Sequence, residues 1–140
     1  KKININSSYS DAIDSDFSKI KFEKIFVNTA QNDCLDLSYG SYVVEGAFLD
    51  NCEDKSISIG EKSNVDIGSV EISNSNFGIV SKDESKTFLE QGSFLNTKVC
   101  LSVYNKKQEF NGSIIRYKDI NCDSKKIFDV QNGSKIIKIN

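Results

Sequence analysis

Apolar and polar residues alternate along this chain in short stretches, and the stretches return at a fixed interval. Six segments stand under one another without gaps through their first four residues: AIDSDFS from Ala12, CLDLSYGS from Cys34, SISIGEKS from Ser56, GIVSKDES from Gly78, CLSVYNKK from Cys100 and IFDVQNGS from Ile127. Their second column reads Ile13, Leu35, Ile57, Ile79, Leu101 and Phe128, with steps of 22 residues four times and then of 27. A constant period of this size marks a solenoid. Within a segment the second and fourth positions are mostly aliphatic and the third mainly polar, the period-two signature of a strand with one edge turned inward. A second apolar run follows each first one: Tyr42 to Leu49, Asn64 to Ile72, Thr87 to Leu95, Phe110 to Tyr117 and Ile136 to Ile139. Each repeat then reaches an Asn-containing corner at Asn28, Asn51, Asn74, Asn96 or Asn121. The runs are too short for helices, are rich in β-branched and aromatic residues, and are separated by Ser, Asn, Gly and Asp. The expected fold is all-β: a right-handed parallel β-helix of about six coils with a 22-residue period, with residues 1–140 as one domain. Proline is absent, so no strand of the stack loses a ladder N–H.

Composition removes several classes of function. Histidine is absent, which excludes Ser-His-Asp and Cys-His catalysis and most zinc sites. A net charge of −2 and the lack of a basic stripe interleaved with stacking aromatics argue against nucleic acid as a partner. No apolar run is long enough to span a membrane, so no membrane insertion is expected. The chain contains no methionine, and the natural start is expected upstream, with any export signal lost. With few coils and no visible capping helix, the stack is expected to continue into other coils of a parent protein or to sit on a partner.

The succession SDAIDSDFS (Ser10 to Ser18), NDCLDLSYGS (Asn32 to Ser41), EDKSISIGEKS (Glu53 to Ser63), FGIVSKDES (Phe77 to Ser85) and VYNKKQEF (Val103 to Phe110) resembles the right-handed β-helix modules of bacterial surface proteins, of the kind that accompany spore-coat-H-type kinase-like proteins. The resemblance covers Ser10 to Asn111 and implies the same fold and an extracellular or cell-surface location. The wider β-helix superfamily includes pectate lyases, polygalacturonases, mannuronan epimerases, phage tailspikes and pure scaffolds, so the resemblance alone selects no activity. Cys34 stands where such modules usually carry Gly or Ala, and Tyr39 interrupts their small-residue corner.

Charge along the repeat supplies the candidate site. Asp11, Asp14 and Asp16 recur one coil later as Asp33 and Asp36, followed by Asp54 and Lys55. In the expected register Asp14 lies over Asp36 and Asp11 over Asp33. Stacked carboxylates about 5 Å apart repel, so they recruit a cation, act as a pair on a glycosidic bond, or are absorbed by corner N–H groups and by Lys55 or Lys82. Asp14 and Asp36 are the candidate Ca²⁺ ligands, and no other cofactor is expected. The fifth column passes from acid to base through Asp16, Ser38, Gly60, Lys82, Tyr104 and Gln131, flanked by Glu61, Asp83, Lys106 and Lys107. Lys82, Tyr104 and Arg116 are the only groups suited to proton transfer in a lyase, and Arg116 falls on a different strand run. No complete catalytic site emerges. The expected function is a structural or polysaccharide-binding module, with a polysaccharide lyase, epimerase or glycoside hydrolase core as one alternative and a self-assembling or adhesive filament unit, associating end to end, as another. The triplets Asn6-Ser7-Ser8, Asn111-Gly112-Ser113 and Asn132-Gly133-Ser134 fit the N-glycosylation pattern at the frequency chance gives in a chain so rich in Asn and Ser.

Four cysteines, Cys34, Cys52, Cys100 and Cys122, lack C-x-x-C spacing, which excludes a zinc ribbon or thioredoxin motif. Cys34 and Cys100 share a column three coils, ~14 Å, apart, beyond the ~7 Å limit for a bridge, Cys52 and Cys122 are separated likewise, and the cross-pairs are expected at different points around the coil. Four free thiols are therefore expected, with Cys34 and Cys100 packed as small apolar groups. The register makes a direct prediction: Ile57→Asp or Ile79→Asp places an unpaired charge inside the stack and is expected to abolish the cooperative melting transition, measured by circular dichroism.

Overall fold

The computed structural model describes residues 1–131 and 133–140 and contains twelve strands and no helix among them. In chain order they are β1 (Lys2–Ile5), β2 (Ile13–Asp16), β3 (Lys19–Phe22), β4 (Lys24–Val27), β5 (Leu35–Ser38), β6 (Ser41–Asp50), β7 (Lys55–Ile59), β8 (Asn64–Lys82), β9 (Lys86–Tyr104), β10 (Ile114–Asp123), β11 (Lys126–Val130) and β12 (Lys135–Lys138). Every pairing is parallel, and the chain winds as a β-solenoid with three faces. Face A stacks β2, β5, β7, the ends of β8 and β9, and β11. Face B stacks β3, the starts of β6, β8, β9 and β10, and β12. Face C stacks β1, β4 and the later parts of β6, β8, β9 and β10. β8 and β9 each run 19 residues around two corners without losing their ladder.

The sequence register holds residue for residue. Ile13, Leu35, Ile57, Ile79, Leu101 and Phe128 are successive partners on face A. Leu35, Ile57, Ile79 and Leu101 are wholly buried, whereas Phe128 is 37% exposed because β11 has a neighbour on one side only. Each interior aliphatic contributes roughly 1.5–3 kcal/mol on burial. The neighbouring inward column reads Ser15, Leu37, Ile59, Ser81, Val103 and Val130, and Ser81, the polar member buried in mid-stack, is matched internally. Ser81 Oγ lies 2.6 Å from Ser85 Oγ and accepts from Thr87 Oγ1 at 3.2 Å. Glycine makes room for large neighbours: a Cβ on Gly78 would sit 2.6 Å from the Phe94 ring, and one on Gly40 2.6 Å from the Tyr42 hydroxyl. That hydroxyl donates to the carbonyls of Ser15 and Ser38.

Corners reverse direction through left-handed residues. Asn51, Asn74 and Asn96 adopt φ of 54°, 55° and 49° at the turn from face C to face A, a conformation Asn tolerates better than other side chains. Their amides form a ladder, with Asn96 donating to Asn74 and Asn74 to Asp50. Asn121 departs from the sequence expectation: it lies inside β10, paired with Ser93, and Ser124 follows the end of that strand instead. The Asn132-Gly133-Ser134 triplet begins outside the described residues.

The cysteines overturn the free-thiol expectation. Cys34 is bonded to Cys52 and Cys100 to Cys122, with Cα separations of 5.5 and 6.3 Å, and no thiol is free. Cys34 and Cys100 do share a column, so the register stands. The cross-pairs, expected to lie apart at different points around the coil, are the ones that meet. A coil that starts on face A returns, at the end of face C, beside its own starting corner, so cysteines 18 and 22 residues apart meet across that corner. Each bridge closes one coil on itself. Removing one by Cys34→Ser with Cys52→Ser is expected to cost ~3 kcal/mol in a denaturant titration, as loop closure of this length predicts, and thiol titration of the unfolded, unreduced protein should find no reactive groups.

Candidate functional site

The candidate residues all lie on face A or the corner leading into it, because the ladder carries each repeat's charges to the same edge. At that corner Asp11 Oδ1 accepts from the Asp33 N–H at 2.9 Å and from Asn32 Nδ2 at 2.7 Å. One coil on, Asp33 Oδ1 accepts from the Lys55 N–H at 3.0 Å and lies 3.5 Å from the Lys55 ammonium, which also contacts Asp54. These carboxylates are therefore absorbed by corner N–H groups and Lys55, one of the arrangements their sequence positions suggest. Burial pushes the Asp33 carboxyl up despite Lys55. Burial also works to lower Lys55, but its hydrogen bond to Asp54 and the charges of Asp33 and Asp54 outweigh it, so the ammonium is held on.

Asp14 and Asp36 are register partners on the outward side of β2 and β5, and Asp16 partners Ser38. Neither Asp14 nor Asp16 forms a hydrogen bond or ion pair through its carboxylate among the described residues, and the buried Oδ1 of Asp36 has no partner. Burial, then the charges of Asp16, Asp36 and Asp11, raise the Asp14 carboxyl above its ordinary value. Among the described residues no three His, Cys, Asp or Glu side chains converge as a metal-binding group. At the corner beyond, Phe17 and Tyr39 stack in parallel, 4.7 Å between centroids, with Phe17 77% exposed; both hold positive φ, at 51° and 49°.

Further along the face, Lys82 and Tyr104 are register partners. Lys82 is 8% exposed and forms no ion pair among the described residues; its stem lies over Gly60, where a Cβ would sit 3.7 Å from Lys82 Cε and 2.5 Å from Ser38 Oγ. Burial, joined by Asp54, Asp33 and Asp83, raises the Tyr104 phenol against the opposing Lys55. Arg116 lies exposed on face B and does not join Lys82 and Tyr104.

Two features escaped the sequence reading. The first is a strap: the residues that lengthen one repeat, Asn105 to Asn111, fold back across two coils. Asp83 Oδ1, wholly buried, accepts from the N–H groups of Lys106 and Lys107, and the Lys107 ammonium reaches Glu61 at 2.7 Å. Burial opposes ionisation of Glu61, but Lys107, the residue's own N–H and Ser38 outweigh it and bring the carboxyl below its ordinary range. The second is the orphaned set: Asp36 Oδ1, Ser58 Oγ, Asp83 Oδ2 and Ser102 Oγ are buried without partners, and all four belong to face A or its corner. The broken 22-residue period signalled the strap; no sequence pattern signalled the orphans.

No protein-family model, curated protein or solved structure matches the chain. The Asp14 environment yields a test. A carboxyl whose folded pKa is raised contributes stability below its unfolded pKa, near ~3.9, and loses it as pH rises through the folded value. Asp14→Asn is therefore expected to raise Tm at pH 7, with the gain shrinking as pH falls to about 4; an equal gain at both pH values would remove charge repulsion as its cause.

Proposed function

We propose that this chain is a polysaccharide-binding β-helix module of a bacterial surface or secreted protein. The observation that carries the reading is the first stretch of face A, where Asp14, Asp16 and Asp36 stand in ladder register beside the exposed Phe17–Tyr39 stack. An aromatic ring accepts the apolar C–H side of a sugar, and adjacent carboxylates accept its hydroxyls. The unpartnered carboxylates of Asp14 and Asp36 also suit a Ca²⁺ ion whose remaining oxygens come from water or sugar hydroxyls. Both disulfides support an oxidising, extracytoplasmic setting. The resemblance of the repeat to bacterial surface modules points the same way. Binding is favoured over catalysis because Arg116 lies on a different face from Lys82 and Tyr104.

A glycan-array screen with and without Ca²⁺ tests this, followed by an assay for reducing ends and unsaturated uronates on every hit. The expected result is binding without product, weakened at least tenfold by Phe17→Ala with Tyr39→Ala and, where Ca²⁺ promotes it, by Asp36→Asn. Product formation would replace the binding module by the enzyme, and an array without hits would end the reading.

A further inference from the structure

A second surface, at the corner from face A to face B, has a chemistry of its own. Lys62, Lys86 and Lys135 line an open groove of about 500 Å³ together with Asn64, Glu84 and Ile114. None of the three lysines has a carboxylate within 4.0 Å among the described residues, whereas Lys21, Lys55, Lys107, Lys118 and Lys126 are all ion-paired. The groove's one carboxylate, Glu84, accepts from Asn111 Nδ2 at 3.4 Å, and Lys62 lies over the Phe110 ring at 5.8 Å. Its floor is backbone against backbone, since a Cβ on Gly112 would sit 2.1 Å from the Gly133 carbonyl.

The ladder sets the spacing of these groups. Asn64, Lys86, Ile114 and Lys135 are successive register partners, so the column reads neutral, cationic, neutral, cationic at one strand spacing per step. Lys86 and Lys135 are thus about 10 Å apart, with the half-buried Ile114 between them. A linear β-linked polysaccharide advances one sugar in nearly the same distance as one strand. We infer that this groove takes a linear polysaccharide bearing one anionic group, carboxylate or sulfate, on every second sugar. The anionic sugars meet Lys86 and Lys135, the intervening sugar lays its apolar side on Ile114, and Lys62 borders the entry. Nucleic acid fits less well, because the groove offers no free aromatic face for bases and the chain is net negative. The inference rests on the polysaccharide-binding reading but uses a different surface from the Phe17–Tyr39 stack.

The test is calorimetric titration of the intact chain with octasaccharides of alternating glucuronate and N-acetylglucosamine, the same backbone sulfated, β-1,4-linked polymannuronate, and neutral cello-oligosaccharide, with duplex DNA as a further polyanion. The alternating probes are expected to bind tightest and to weaken with salt; the plain and sulfated arms decide between carboxylate and sulfate. Lys86→Gln with Lys135→Gln should weaken them at least tenfold, while Lys2→Gln with Lys98→Gln, of equal charge, should not. Ile114→Lys should shift preference toward polymannuronate, which carries a carboxylate on every sugar. Equal losses in both lysine pairs, or DNA bound as tightly as the alternating probes, would overturn the inference. Neutral glycans bound through Phe17 and Tyr39 with no binding of the alternating probes would overturn it alone; no binding of any saccharide would remove both.

Discussion

Parallel, in-register stacking of equivalent residues at one strand spacing is the constraint on which everything else in this molecule depends. It satisfies backbone donors and acceptors between coils and lays Leu35, Ile57, Ile79 and Leu101 on top of one another. It also leaves no freedom to choose neighbours: whatever stands at one position meets whatever stands in register one coil on, 22 residues away from Ile13 to Leu101 on face A. Apolar columns gain from this and charged columns pay, so the same geometry produces both the core and the tension between Asp14 and Asp36.

The corners show how that tension is managed. Where a carboxylate stands at a corner, as Asp11, Asp33 and Asp83 do, it takes N–H groups from the next coil and becomes part of the ladder. On the outward side of β2 and β5 the backbone donors are already used, so the Asp14 and Asp16 carboxylates are left to solvent or ligand and the buried Oδ1 of Asp36 is left without a partner among the described residues. The division between structural and available carboxylates thus follows from position in the coil. Inside the stack, Ser81, Ser85 and Thr87 answer one another's hydroxyls, so a polar patch persists in the core without loose groups. The two disulfides act at the one corner where a coil passes its own beginning, and they close single coils of a fold whose ladders all run between neighbouring coils.

A solenoid is also a ruler. Side chains on its outer faces repeat at a spacing set by the backbone, and linear polymers of similar repeat length lie along it with their chemistry in phase. Face A presents carboxylates and aromatic rings, while the corner beyond the strap presents alternating cationic and neutral positions. The strap is pinned by Asp83 and Glu61 near its start and by Glu84 at its end.

The sequence by itself determined the strand class, the 22-residue coil, the inward columns and the stacking of Asp14 on Asp36, because a ladder with period-two side chains turns spacing directly into contact. It also placed Asp11 and Asp33 at a corner where N–H groups await acceptors. What only the tertiary structure decided lies between columns. Cys34 meets Cys52 because of how sharply three corners close a coil, a dimension that a list of aligned columns does not contain. Lys107 reaches Glu61 because an irregular insertion chose one direction of several open to it. Lys82 lies over Gly60 with no carboxylate partner among the described residues, although its column position alone suited pairing with the Asp ladder. Register is a property of the repeat, whereas the path of a corner and the lean of a long side chain are set by packing around the whole coil.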